Sequence, residues 1–184
     1  MSHFEFVSVA VALIYALVVA RLLTGLTPSL QADRRYAVQI AWIFVLLLSC
    51  VLQWWVFWRT SEVSWSPIRF LWVLILPSML FLQAGLLVGA NPETIESFRT
   101  HFAARRVPLF SLGLASAAVS AIFPWVLGLA PWLALAPFHP IAVVFALLWT
   151  AGLVFPSDRA QATIVSVTFL VVIGGFFFIP VSAA

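Results

Sequence analysis

The sequence predicts an all-α protein that crosses a lipid bilayer six times and carries one short amphipathic helix on the cytoplasmic surface. Of its 184 residues, 64% are hydrophobic and 8% are charged, whereas a soluble domain is about 45–50% apolar and about 25% charged. The apolar residues gather in runs of about 20, the length that a helix needs to cross the hydrocarbon core. These runs are apolar on every side, so they lack the alternation of membrane barrel strands.

Six apolar runs define the predicted spans, and the chain forms a single transmembrane domain over residues 1–184. A helix rises about 1.5 Å per residue, so each run can reach across most or all of the bilayer core. In chain order the predicted spans cover residues 4–26, 36–58, 67–90, 107–129, 137–155 and 160–180.

The connection between the fourth and fifth spans is rich in proline. Pro124, Pro131, Pro137 and Pro140 fall within one short stretch, and each removes a backbone donor and disfavours helix in the preceding residue. This pattern predicts a kink at the end of span four and a late start or a re-entrant turn for span five. A structural turn and a broken helix at a substrate site both remain open.

The arginines predict the orientation. The connections after spans one, three and five contain six arginines, whereas the opposite side contains two, Arg59 and Arg69. Loops rich in Lys and Arg stay in the cytoplasm, so both termini are predicted on the non-cytoplasmic side, where tryptophans also crowd. The six arginines are Arg34, Arg35, Arg99, Arg105, Arg106 and Arg159, and the tryptophans are Trp54, Trp55, Trp58, Trp65, Trp72, Trp125 and Trp132.

The longest polar connection, residues 91–106, predicts the short surface helix. Asn91 can cap its first turn, and Pro92 fits the first helical position. Phe98 and Phe102 recur at helical spacing on one side, which favours a helix lying on the membrane surface and leaves a partner-docking helix as the alternative. Three arginines in it are predicted to contact anionic lipid headgroups: Arg99, Arg105 and Arg106.

Small residues at regular helical spacing predict where helices pack. Helices in lipid associate where small side chains allow close approach, so these positions predict interfaces within one chain or between copies, and they favour a homo-oligomer. They are Ala12, Ala16 and Ala20 in span one, Gly85 and Gly89 in span three, and Gly174 and Gly175 in span six, and span four is rich in small residues: Gly113, Ala115, Ser116, Ala117, Ala118, Ser120 and Ala121.

One arginine lies inside an apolar run. Arg21 precedes the end of span one at Leu26 by five residues, or about 7.5 Å at helical rise. Its side chain can extend to the headgroups, or it can face the bundle and pair with backbone carbonyls or with Asp33 or Asp158. An arginine facing a vestibule would favour anions.

Uncharged polar side chains in the spans predict a polar network. Each can bond across a helix pair for about 0.6–2 kcal/mol. Gln53 and Gln83 are the two that we predict to line a pore, with Arg21, Gln39 and Tyr15 as the other candidates.

The sequence carries no signature of catalysis, so we expect no enzyme, no metal site and no cofactor. No GxSxG, HExxH or phosphate-loop motif occurs, and Cys50 is the single cysteine. The three histidines are far apart in sequence. The arginines are spread over many loops, whereas a nucleic-acid binder concentrates its basic residues on one face.

The stretch FEFVSVAVALIYALVVARLLTGL resembles the first helix of a group of small, uncharacterised bacterial multispanning inner-membrane proteins. That group shares a Phe-Glu-aromatic start and a helix that ends in a basic residue, Leu-Leu and Gly. The resemblance implies a bacterial inner-membrane location and no particular activity. The matching positions are Phe4, Glu5, Phe6, Arg21, Leu22, Leu23 and Gly25.

Two functions agree with these features. The polar set and the proline-rich region favour an oligomeric channel or pore for an ion or a small solute. The scarcity of ionisable groups at the bilayer midplane, together with the many packing residues, favours a non-catalytic scaffold or accessory subunit of a larger membrane complex. In both cases the lipid bilayer is the main partner.

Overall fold

A computed structural model describes residues 2–58, 60–129 and 138–178. Within these ranges the chain forms six α-helices and one 3-10 turn and has no strand, which confirms the all-α prediction. The helices are α1 (His3–Ser29), α2 (Ala37–Trp58), α3 (Pro67–Val88), α4 (Phe98–Leu127), α5 (Phe138–Val154) and α6 (Asp158–Phe178), and the turn is Pro92–Thr94.

Five of the six helices are long and apolar enough to cross a membrane: α1, α2, α3, α4 and α6. Helix α5 is shorter, with 17 residues. At helical rise it extends about 25 Å, slightly less than the roughly 30 Å of a bilayer core. Pro124 lies inside α4, whereas Pro131 and Pro137 lie outside the described residues.

Residues 91–106 do not form the separate surface helix that the sequence predicts. Asn91 precedes only the three-residue turn, and its side chain makes no capping bond there. Helix α4 begins at Phe98, capped by the Ser97 hydroxyl, and continues unbroken into the apolar run. Phe98 and Phe102 are buried. The prediction was wrong because the apolar face that it assigned to a membrane surface packs into the protein core.

The helix boundaries follow from local capping. Ser2 and Glu5 form a reciprocal capping box at the start of α1, and the Ser66 hydroxyl accepts a bond from the backbone at the start of α3. Helix α3 is followed by Gly89 at φ 76° and α4 by Gly128 at φ 71°. Glycine suits both places because a side chain would strain the backbone at positive φ.

The six helices form a closed ring. Helix α1 packs against α2 and α3, α3 also packs against α4, and α4 packs against α5. Helix α6 packs against α5 and α2, which closes the ring in the order α1, α3, α4, α5, α6, α2. Four of the six neighbouring pairs are consecutive in the chain, whereas α1 with α3 and α2 with α6 are not, and α2 also contacts α3 and α4. All six helices line the centre of the ring.

One end of the ring holds the connections that follow α1, α3 and α5, and we call it the arginine-rich end. Arg34 donates a hydrogen bond to the Glu93 carbonyl oxygen at 2.8 Å, and the Tyr36 hydroxyl donates to Asp158 at 2.9 Å. Arg99 also pairs with Asp158. These bonds tie the three connections together.

We call the opposite end the tryptophan-rich end. There the Phe4 ring stacks on Phe57 with their centroids 5.3 Å apart, and Trp58 and Trp65 contact the same cluster. Trp132 lies outside the described residues. The two ends thus differ sharply in chemistry, one cationic and one aromatic.

Candidate functional site

The centre of the ring contains a cavity of about 470 Å³ that all six helices line. The cavity lies towards the tryptophan-rich end of the ring. The lining residues run from the middle of each helix towards the tryptophan-rich end, where they reach Phe57 and Leu129. Most of the lining is apolar, as expected for a small-molecule site that orients its ligand through a few polar groups.

Two pairs of hydrogen-bonding side chains face each other across helix boundaries at this cavity. The Tyr15 hydroxyl on α1 donates to Gln53 Oε1 on α2 at 3.1 Å. The Gln83 amide on α3 donates to Ser116 Oγ on α4 at 2.8 Å. All four residues line the cavity, and Ser120, one turn beyond Ser116, lines it too. The site can therefore offer amide and hydroxyl groups to a solute.

The part of the cavity wall that the structure describes carries no formal charge. Its described lining includes no aspartate, glutamate, arginine or histidine. Moving an ion into an apolar, uncharged enclosure is costly unless it is paired, whereas an uncharged polar molecule needs only its hydrogen bonds satisfied. The lining therefore suits a small uncharged solute better than an ion.

An aromatic cluster fills the ring between the cavity and the arginine-rich end. The Trp42 ring on α2 stacks on Trp149 of α5 at 5.0 Å between centroids. Phe110 of α4 meets Trp42 edge-on at 5.4 Å and Trp149 at 5.5 Å, and Trp42 and Phe110 are among the largest fully buried side chains. Trp149 also lines the cavity, so the cluster borders the cavity on this side.

Arg21 is separate from the cavity. Its guanidinium is part-buried and donates to the Gly89 carbonyl oxygen at 2.5 Å, at the C-terminal end of α3. That carbonyl end carries the negative part of the helix dipole. Of the alternatives for Arg21, the structure has the carbonyl pairing, and neither Asp33 nor Asp158 pairs with Arg21 in the described part of the chain.

Gln39 also lies apart from the cavity. It is completely buried near the start of α2, and neither atom of its amide has a hydrogen-bond partner among the described residues. On α6, buried Gln161 differs because its Nε2 donates to the carbonyl oxygens of Gly152 and Phe155. Of the five predicted polar candidates, the structure brings Tyr15, Gln53 and Gln83 together and leaves Arg21 and Gln39 elsewhere.

The residues predicted for helix packing are spread over different environments. Ala12 is half-buried, and Ala16 and Ala20 are exposed on the outer face of α1. A side chain added at Gly85 or Gly174 would meet nothing within 4 Å in the described chain, whereas one at Gly175 would contact Leu52. Gly89 ends α3.

Other glycines lie where helices within the chain approach most closely. A methyl group added at Gly25 would overlap Val88, one at Gly113 would overlap the Trp149 ring, and one at Gly152 would overlap the Phe110 ring. The partners, large side chains on a different helix, gave no local signal in the sequence. The Ser116 and Ser120 pair was visible, but its spacing equally fits simple packing.

The three arginines predicted at lipid headgroups do not share one environment. Arg105 is exposed, and Arg99 pairs with Asp158. Arg106 donates to the Gly152 and Leu153 carbonyl oxygens at 2.5 and 2.7 Å, at the end of α5. Arginine thus neutralises the carbonyl ends of both α3 and α5.

A small polar network completes the arginine-rich end. Tyr36, which precedes α2, donates to Asp158. Desolvation by burial and this hydrogen bond raise the pKa of Tyr36 to about 12, so its hydroxyl remains a donor at neutral pH. Among the described residues no group of three or more His, Cys, Asp or Glu could hold a metal ion. The described bonds make this end a hydrogen-bonded seam.

The fold and the cavity define a class: an all-α ring of helices, most of them long and apolar enough to cross a membrane, around a central uncharged cavity. Comparison with protein-family models, curated proteins and solved structures finds no match to this chain. The geometry of the site is therefore the basis for its proposed function.

Proposed function

We propose that the protein lies in a membrane and serves as a channel or pore for a small uncharged solute, which occupies the central cavity. The observation that carries the proposal is the uncharged cavity of about 470 Å³ with the Tyr15–Gln53 and Gln83–Ser116 pairs in its wall. The solute would exchange hydrogen bonds with these groups. It would avoid the cost of bringing an ion into an apolar enclosure.

Passage through the ring would require the aromatic cluster to move. Trp42, Phe110 and Trp149 pack together between the cavity and the arginine-rich end, so they would form the constriction of the proposed pore. Gating by a hydrophobic constriction is a known device in channels. The apolar contacts of Trp149 make it the residue whose displacement would open the path.

A liposome flux experiment tests this proposal. Purified protein in liposomes should speed the uptake of glycerol, a small uncharged probe, and leave potassium and chloride at empty-liposome rates. Ser120 lines the cavity and is only part-buried, so Ser120→Phe should fill the space and return glycerol uptake to the empty-liposome rate. Ala118, exposed on the same helix, provides the control Ala118→Phe, which should behave as wild type.

Two outcomes would refute a pore for uncharged solutes. The first is an ion current with no glycerol uptake, and the second is glycerol uptake that Ser120→Phe leaves unchanged. Both variants are checked for correct folding by gel filtration before flux is measured.

An accessory subunit or a homo-oligomer is the second candidate, and the exposed face of α1 favours it. Ala16, Ala20 and Thr24 lie at four-residue spacing on that face. Close approach of another helix is easiest over such small side chains. Extraction in a mild detergent should then yield either a stoichiometric partner or a particle of several copies. A particle with the mass of one chain in every detergent would exclude both the accessory subunit and the homo-oligomer.

We further propose a multi-pass location in a bacterial inner (plasma) membrane, with both termini on the non-cytoplasmic side. The clustering of arginine at one end supports this orientation, because positively charged loops remain in the cytoplasm. The tryptophans of the other end suit the opposite headgroup layer.

A further inference from the structure

A second feature, independent of the cavity, lies on the outer surface of the ring between α2 and α6. It is an open groove of about 870 Å³, bounded on the α2 side by residues from Ala37 to Leu48 and on the α6 side by residues from Val165 to Ile173. Phe44 and Leu170 on its walls are exposed. The groove is therefore an apolar depression on the outer surface of the helix ring.

One end of the groove is positively charged. Arg35 lines it at the arginine-rich end, two residues before the start of α2 at Ala37. Arg35 is exposed and makes no hydrogen bond or salt bridge within the described ranges, whereas its neighbour Arg34 donates to Glu93. The guanidinium of Arg35 is thus available to a ligand.

Two carboxylates near this end of the groove, those of Asp158 and Asp33, already have partners. Asp158, at the start of α6, accepts from Tyr36 and pairs with Arg99. Asp33 lies 3.7 Å from the Arg34 guanidinium. Arg35 forms no ion pair with a carboxylate of the described chain, so charge complementarity favours an anionic group at this end of the groove.

The length of the groove matches the thickness of the hydrocarbon layer of one bilayer leaflet. Residues 37–48 of α2 rise about 17 Å, close to the roughly 15 Å of half a bilayer core. A phospholipid has this shape and polarity, with a charged head at the surface and acyl chains beneath it. A basic pocket between helices on the cytoplasmic side is a physically reasonable site for an anionic head group.

We propose that the α2–α6 groove binds one anionic phospholipid of the inner leaflet, with an acyl chain along the groove and its phosphate at Arg35. Binding would hold α2 and α6 together from the lipid side. The proposal does not depend on what occupies the central cavity.

Native mass spectrometry of the purified full-length chain tests the site with two probes of identical acyl chains, phosphatidylglycerol and phosphatidylcholine. The wild type should bind phosphatidylglycerol about fivefold more tightly, the difference expected for one arginine near an anionic group. Arg35→Gln should abolish that preference. Arg105→Gln, which removes an exposed arginine outside the groove, should leave it unchanged.

A second pair of variants tests whether the apolar walls of the groove bind the acyl chain. Ala41 lines the groove, so Ala41→Phe should weaken binding of both lipids. Ala118→Phe, on the surface of α4, should not. Because Arg35 is exposed, Arg35→Gln keeps the test valid even if Ala41→Phe fails to fold.

Three results would overturn the lipid site. Arg35→Gln could retain the preference, or Arg105→Gln could reduce it equally, which would indicate general surface charge. The third is a dimer that Ala41→Phe dissociates and added lipid does not, which would assign the groove to a second copy of the chain.

Discussion

At the scale of single residues, buried polar groups differ in whether the chain satisfies them. The Gln161 Nε2 donates to two carbonyl oxygens near the end of α5, although its Oε1 has no partner among the described residues, whereas Gln39 is equally buried and neither atom of its amide has a partner there. A buried unpaired amide costs free energy, and a buried paired one contributes a modest stabilisation. Identical side chains should thus have opposite effects on stability.

Replacing these two glutamines with leucine tests that difference. Gln39→Leu should raise the free energy of unfolding by about 1–2 kcal/mol because it removes an unsatisfied amide. Gln161→Leu should lower it by about 1–3 kcal/mol because the Phe155 carbonyl oxygen loses its donor. Thermal unfolding in detergent measures both. A loss of stability in Gln39→Leu as large as in Gln161→Leu would contradict this interpretation.

Arg21 illustrates why a residue's environment cannot be read from its position in a span. The sequence allowed either snorkelling or an inward pairing, because both are within reach of the same side chain. The structure pairs Arg21 with the Gly89 carbonyl oxygen, since α1 packs against α3 and brings the end of α3 beside it. The sequence does not state which helices are neighbours.

At the scale of helices, glycine marks the closest contacts only where a large side chain opposes it. Gly113 faces Trp149 and Gly152 faces Phe110, so α4 and α5 interlock through two reciprocal glycine–aromatic contacts. Gly85 belongs to a GxxxG pair, yet an added side chain there would meet nothing within 4 Å in the described chain. The motif therefore does not by itself locate an intramolecular interface.

Alanine substitutions should distinguish the glycines that face a large side chain from the glycine that faces open space. Gly113→Ala and Gly152→Ala should each destabilise the fold by about 1–3 kcal/mol because rigid rings must shift. Gly85→Ala should leave stability unchanged or raise it by up to about 1 kcal/mol, through higher helix propensity. Thermal unfolding of the three variants provides the comparison, and equal losses at all three positions would refute it.

The sequence predicted the helices well and their lateral arrangement poorly. Five of the six apolar runs became helices close to their predicted bounds, because length and composition are local properties, whereas α4 begins at Phe98, well before the predicted start at residue 107. The stretch 91–106 was wrong because Phe98 and Phe102 suit a membrane surface and a protein core equally, and only the packing of α4 decided between them. The sequence named Tyr15, Gln53 and Gln83 as candidates, while the pairing of Tyr15 with Gln53 and of Gln83 with Ser116 required the structure.

At the scale of the molecule, the distribution of charge makes a prediction about orientation. In a Cys50→Ala background, single cysteines at positions 34 and 105 should react with an impermeant reagent only after cells are opened. A cysteine at Ser64, in the connection before α3, should react in intact cells. The expectation follows from retention of arginine-rich loops in the cytoplasm.

The reverse pattern of labelling would overturn the proposed orientation and move the lipid site to the outer leaflet. Labelling of all three positions in intact cells would instead argue against a chain that spans the membrane. Unmodified Cys50 is buried, so its replacement serves only to remove background reaction.

By itself the sequence determined that this chain is all-α, where its helices run and which connections collect arginine, because these depend on residues adjacent in the chain. Only the tertiary structure decided that the helices close into a ring in the order α1, α3, α4, α5, α6, α2, with an uncharged cavity on one side of an aromatic cluster. The physical reason is that nearly every face of these helices is apolar, so polarity does not specify which faces meet. The fit of large side chains against glycine specifies it instead.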